Sequence, residues 1–413
     1  MTHAATARRL DLDARRREFP ALADGFVFLD NAGGSAVLKR VADRVAEYML
    51  TTSVQLGASY RPSADAAEKV SAAQAAVGRL LNAPHTDEVV MGGSTTLLLH
   101  LLGEALEPSV RPGDEIIVTD IDHEANVGPW RRLERAGAVI REWRVNRDSM
   151  DLELEDLDAL LSDRTTWVAV THCSNILGTV VPVAEVARRV HAAGARLCVD
   201  GVGYAPHRLV DVQASGADVY VLSFYKTFGP HYAAMWADRD LLEALPGLNH
   251  YFITDTPGKL QPGSVNYELV HGCGGIVDYL TDTGRALGAE GDDRALMAAA
   301  FDAFTAHEDA LSERLLSYLR DRPDVRIIGR SRVGNGDRVP TISFTVGGRP
   351  SEDIVRQVER HGIGIRFGDF YAKRLIPALD ADRNGGVVRV SMAHYNTGDE
   401  IDRLIGVLDD AMK

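Results

Sequence analysis

Residues 195–231 read ARLCVDGVGYAPHRLVDVQASGADVYVLSFYKTFGPH, and this stretch decides the fold. It opens and closes with short apolar runs, Leu197–Val199 and Val219–Leu222, that each end in polar or charged residues. Such runs read as strands buried on both faces. The first stops at Asp200, a helical crossover follows, and the second leads to Lys226 ahead of the chain-turning pair Gly229–Pro230. The order is therefore strand, Asp, helix, strand, Lys.

The same pattern continues outward. DEIIVTDIDHE (114–124) and TTWVAVTHCSN (165–175) are further buried strands with polar ends. VAEVARRVHAAG (183–194) has the spacing of an amphipathic helix, with Gly194 as its C-cap. Alternating strands and helices predict an α/β fold with a mostly parallel, doubly wound sheet. In such sheets ligands lie beyond the carboxyl ends of the strands, where all these polar clusters fall. From about residue 290 the pattern changes to a long helix (294–321), two separate strands, VRIIG and TISFTVG, and a final helix. We expect a large domain over residues 26–289, a smaller α+β domain over 290–413, and a segment 1–25 packed on the latter.

A chain of 413 residues is too long for one ordinary core, which fits two domains. Its net charge of −14 argues against general nucleic-acid binding but leaves room for an anionic substrate in a pocket lined by arginines. The three cysteines, Cys173, Cys198 and Cys273, form no close pair, as in a reduced cytoplasmic chain. The N-terminal residues lack the apolar segment of a secretory signal. No apolar run approaches the roughly 20 residues that span a bilayer, and TTLLLHLL (95–102) reads as a buried helix. No metal is expected.

A lysine at a strand end in a cleft is a candidate Schiff-base residue, because desolvation frees its amine, although most lysines are simply solvated. Asp200 changes the balance. Pyridoxal phosphate (PLP) accepts electrons only while its pyridine nitrogen stays protonated, and a buried carboxylate holds that proton. Asp200 alone could equally be a helix N-cap. GGSTT (92–96), between the strand DEVVM and a helix, offers close backbone approach, hydroxyls and free N–H groups to a phosphate, or is an ordinary N-cap. His123 provides a flat ring that can cover a pyridine face and move protons. Asn175 either bonds the cofactor's phenolic oxygen or shapes a turn.

These segments together resemble the class V aminotransferase family, and its cysteine-desulfurase-like branch in particular. FLDNAGGS (28–35), HEAN (123–126), SNILGTVVPV (174–183), the VDG segment, SFYKTFGPH (223–231) and MAHYNT (392–397) match in order and spacing over nearly the whole chain. The resemblance implies a fold-type I PLP enzyme in which Lys226 carries the cofactor, Asp200 meets its pyridine nitrogen and His123 stacks on its ring. It implies that Ser94, Thr95 and Ser223 hold the phosphate, and that Asn175 and Arg389 bind the substrate carboxylate. It also implies that Ser264, in QPGSVN (261–266), reaches the phosphate of a partner subunit in a homodimer.

The chain departs from the branch at three places. Tyr371, in GIGIRFGDFYAK (362–373), stands where desulfurases carry a nucleophilic cysteine. Tyr225 replaces the usual histidine before the lysine, and Gly203 replaces a glutamine or histidine. The expected reaction is thus β-elimination at an amino acid, C–S lyase-like, with Lys226 as base and Tyr371 or Tyr225 assisting the leaving group. Transamination or epimerisation is the alternative, and a PLP fold that binds without turnover is a third reading.

Overall fold

The computed structural model describes residues 10–334 and 336–412. In chain order its first eight strands are β1 (Val27–Phe28), β2 (Val89–Gly92), β3 (Glu115–Thr119), β4 (Val139–Trp143), β5 (Thr165–Thr171), β6 (Arg196–Asp200), β7 (Val219–Ser223) and β8 (Ala233–Ala237). Seven of them form one sheet in the order β2-β8-β7-β6-β5-β3-β4. β3 to β7 are mutually parallel, and every residue of β3, β7 and β8 is buried, which explains why their interior residues are apolar. β8 alone runs against both its neighbours. Its connection from β7 is the short turn around Gly229–Pro230, too short for a helical crossover to a parallel strand.

The helix Val183–Ala192 buries Val183, Val186, Ala187 and Val190, one face at helical spacing, and Gly194 follows it at φ +79°. That left-handed conformation suits glycine and reverses the chain into β6.

A second sheet contains β9 (Val325–Ile328), β10 (Thr341–Val346), β12 (Arg366–Gly368) and β13 (Val387–Ser391), antiparallel in the order β12-β13-β10-β9. β11 (Ile363–Gly364) pairs instead with β1. The helix Asp293–Arg320 belongs to both bodies: Met297, Phe301 and Phe304 pack into the large core, Leu311, Leu315 and Leu319 into the smaller one. Of the N-terminal segment 1–25, the first nine residues lie outside the described ones. From Leu10 onward it touches both bodies, with Arg15 donating to Thr283 Oγ1 (2.7 Å), Arg16 to the Tyr395 carbonyl (2.6 Å), and Phe19 packed on Phe228 and Tyr395. Among the described residues no helix is long and apolar enough to cross a membrane.

Candidate active site

The carboxyl ends of β5, β6 and β7 open into a cleft of about 510 Å³, including its mouth. Asp200 is the last residue of β6, and Lys226 closes the single turn that follows β7. Both are buried. One Asp200 oxygen accepts the Val202 N–H (2.9 Å), and burial raises the carboxyl above its ordinary pKa, with Val202 and Lys226 opposing. Burial also brings the Lys226 amine down to about 8, helped by the Arg389 guanidinium and opposed by the Asp200 and Asp30 carboxylates. An amine at that value is partly free at neutral pH.

The walls carry a flat ring and a row of hydroxyls. His123 caps the turn Glu124–Asn126 by accepting the Ala125 N–H at Nδ1 (3.0 Å). Burial, then the Lys226 and Arg389 cations, hold its pKa down to about 4, so the ring is neutral at pH 7. Opposite, Ser94 caps the helix Thr95–Leu106 by accepting the Leu97 N–H (3.1 Å), and the Thr95 and Ser223 hydroxyls pair at 2.6 Å. A helix start with open N–H groups beside two hydroxyls is suited to an oxyanion.

The rim comes from the second body. Arg389 in β13 is 1% exposed and gives one nitrogen to Asp30 (2.8 Å) and another to the Asn175 carbonyl (3.2 Å). Phe370 lies over its guanidinium at 3.6 Å. The Asn175 amide donates to the Phe370 carbonyl (2.9 Å). Phe370 and Tyr371 both have positive φ, +50° and +63°, and the Tyr371 ring is two-thirds exposed, 5.2 Å from that of His123. The loop is fastened by Glu124, whose N–H donates to the Tyr371 carbonyl (2.9 Å) and whose carboxylate pairs with Arg374 (2.7 Å).

Lys226, Asp200, His123, Asn175, Ser94, Thr95, Ser223 and Tyr225 thus line one cleft, with Arg389 bonded to Asn175 and Tyr371 beside His123 at its edge. Ser264 does not join them: it is exposed on a loop outside the cleft lining. Gly203 has a steric reason, since a Cβ there would stand 2.6 Å from the Cys173 carbonyl oxygen. Cys173 is buried and borders the cleft. Several residues escaped the sequence reading. Asp30 lies in the quoted FLDNAGGS segment yet received no role, and Phe370 gave no signal at all. Asp122 is buried, and burial, with the Asp200 carboxylate adding to it, lifts its pKa to about 8 against the hydrogen bonds it accepts from Asn126 (2.8 Å) and the Thr171 N–H (3.0 Å).

Among the described residues, two of the buried side-chain atoms without a partner belong to this site, Asn175 Oδ1 in the cleft wall and Nε of Arg389, which bonds to Asn175. Unpaired buried groups are costly, which points to a ligand. A family model described as "Aminotransferase class-V" matches residues 27–404. This chain belongs to the class V aminotransferase family. Members of the family are PLP-dependent enzymes, and so is this one. Among its relatives, "Aminotransferase-like protein FGM3" of Gibberella zeae is 39% identical, over 95% of this chain and 96% of that one. "Cysteine desulfurase-like protein ustD" of Aspergillus flavus is 33% identical, over 97% and 90%. The crystal structure of the cysteine desulfurase CsdA from Escherichia coli superposes with a TM-score of 0.84 at 26% identity, over 98% and 99%. The residues present fit the cofactor: a depressed amine, a buried carboxylate, a neutral ring and a hydroxyl-rich helix start in one cleft.

Proposed function

We propose that this class V enzyme eliminates a β-substituent, a sulfur group first of all, from a free amino acid. The observation that carries the reading is the state of the thiols. Cys173, Cys198 and Cys273 are all buried, and burial pushes the Cys173 thiol up to about 12 and raises the other two well above their ordinary value. Sulfur transfer to a protein persulfide needs a reachable thiolate. Tyr371 occupies the exposed rim, and its oxygen cannot carry that sulfur.

In this reading Lys226 holds PLP through its amine, Asp200 faces the pyridine nitrogen and His123 covers the ring. Thr95, Ser223 and the helix start beside Ser94 receive the phosphate, and Asn175 the phenolic oxygen. When bound, PLP supplies an electron sink for negative charge at the substrate α-carbon. Arg389, held by Asp30 and flattened under Phe370, fixes the α-carboxylate with its unpaired Nε–H. The Lys226 amine then takes the α-proton, and a tyrosine at the rim, Tyr371 or Tyr225, supplies a proton to the departing group. The name of the Gibberella relative favours a second reading, transamination, which would use the same base.

The test is incubation with cysteine and S-alkyl cysteines, followed by assay of pyruvate, ammonia, alanine and protein persulfide. Pyruvate and ammonia without persulfide are expected. Stoichiometric persulfide on one cysteine, lost together with activity when that cysteine is replaced, would restore desulfuration and sink elimination.

We propose further that residues 26–289 and 290–413 act as two domains sharing the helix Asp293–Arg320, and that the enzyme is a homodimer. Exposed Ser264 supports the second point, because it can serve a phosphate only in another subunit. Sedimentation should report a dimer; a monomer that binds PLP and turns over would exclude it.

A further inference from the structure

The elimination reading leaves two tyrosines at the rim as possible acids, and the structure treats them differently. Tyr371 is two-thirds exposed, so a proton on it exchanges freely with water. Tyr225 is half-buried in the cleft wall, with the Lys226 Nζ 5.9 Å from its ring centre. Its backbone is fixed: the Tyr225 carbonyl accepts the Ser35 N–H (3.0 Å) and hydroxyl (3.3 Å), and that hydroxyl oxygen in turn accepts the Phe228 N–H (2.8 Å). One face of its ring is covered by the exposed His231 side chain. The His231 ring lies parallel to it, 4.9 Å between centroids and 10° between planes. Gly34 passes alongside without a side chain, and a Cβ there would touch Tyr225 Cδ2 at 3.4 Å.

The hydroxyl itself is left free. Among the described residues no hydrogen bond to it is found, whereas the Tyr225 carbonyl is engaged. Burial, with the Asp200 carboxylate adding to it and Arg389 opposing, raises the phenol above its ordinary pKa, so it is a protonated donor at neutral pH. The phenol lines the same cleft as Lys226 and Asp200, on which the α-carbon chemistry depends.

We propose that Tyr225 is the acid that protonates the departing group, and that His231 is a positioning residue whose ring holds the phenol in place. This rests on the elimination reading. The electron pair freed at the α-carbon when Lys226 takes its proton forms the Cα–Cβ double bond, the carbon–sulfur bond breaks with its pair on sulfur, the Tyr225 O–H proton passes to that sulfur, and the phenolate regains a proton from water. No part of this requires His231 to titrate, only to present a flat face.

The test compares S-methyl-L-cysteine, whose thiolate is a poor leaving group, with S-(p-nitrophenyl)-L-cysteine, whose thiolate leaves unaided. Tyr225→Phe should lower kcat for pyruvate release about 10²-fold with the first and only about threefold with the second, as loss of a general acid does. His231→Ala should show the same pattern at about 10-fold on the first, and His231→Phe should restore it. Equal losses on both substrates, or none, overturn the acid role of Tyr225. Phenolate absorbance gives a readout free of turnover. The Tyr225 ionisation, isolated by difference from Tyr225→Phe, should fall toward the ordinary value in His231→Ala and stay raised in His231→Phe. An unshifted ionisation in His231→Ala overturns the positioning role whatever the reaction is. Wild-type enzyme that releases pyruvate from neither conjugate overturns elimination, and the acid role with it, while the titration still judges His231.

Discussion

The floor of the cleft and its rim are built on different principles. On the floor, Asp200 and Ser223 end adjacent strands, Lys226 follows one turn later, and neighbouring buried backbone fixes all of them. On the rim, Asp30, Phe370, Tyr371 and Arg389 come from segments hundreds of residues apart or from a loop with two non-glycine residues at positive φ. Sheet geometry positions the floor without help from the substrate. The rim is held by ion pairs of Arg389 and Arg366 with Asp30 and of Arg374 with Glu124, by the rings of Phe370 and Tyr371, and by hydrogen bonds to Glu124 and Asn175. The cofactor chemistry therefore sits on rigid strand ends, and selection of the amino acid is left to the part that can move.

The largest expected effect breaks the floor. Lys226→Ala should lower turnover by about 10⁴-fold or more and abolish the borohydride-stable PLP adduct, which mass mapping should find on Lys226 in the wild type. Retention of the adduct on another lysine would remove the floor from the chemistry altogether. The depressed pKa gives this a pH signature. The amine is protonated below about 8 and free above it, so the rate of PLP attachment to apoenzyme should climb as pH rises through about 8 and level off beyond. A rate that is flat across that range would contradict the burial argument.

At the rim, Arg389→Ala should cut kcat/KM for amino acids by about 10²-fold, mostly through KM, and leave Asp30 facing only Arg366 at 3.6 Å. Arg389→Lys should recover part of the loss, because a point charge cannot fork onto a carboxylate. An unchanged KM in the alanine variant would mean that the clamp lies elsewhere, and the contrast between floor and rim would lose its functional half.

The same contrast explains what the sequence made legible. Asp200, Lys226, His123 and Ser223 lie at or just past strand ends, and strand ends can be read from apolar runs. The parallel order of β5, β6 and β7 follows from the same runs. The reversal of β8 was not read, although the short Gly229–Pro230 connection carries it. Asp30 and Arg389 meet only because β1 runs into a loop beside β13, with Asp30 bridged to Ser391. No local pattern encodes such a meeting. Phe370 over Arg389 and His231 against Tyr225 are likewise products of tertiary packing. Gly203 looked like a missing contact, and only the closeness of the Cys173 carbonyl gives it a reason.

The smallest expected effect concerns Tyr371, and it sharpens the comparison most finely. The residue matches a catalytic position by resemblance, but it is two-thirds exposed, with its ring centre 5.2 Å from that of His123. If the floor and Tyr225 carry the proton transfers, Tyr371→Phe should lower kcat by only about twofold, the scale of an exposed substitution. Its backbone tells a separate story. A non-glycine residue at φ +63° bears strain of about 1 kcal/mol, which glycine does not. Tyr371→Gly should therefore match or slightly exceed the wild type in thermal stability, yet raise KM by freeing a loop that holds Phe370 over Arg389. A large loss of kcat in Tyr371→Phe with KM unchanged would make the Tyr371 hydroxyl a proton donor after all. It would transfer part of the chemistry from the rigid floor to the strained rim.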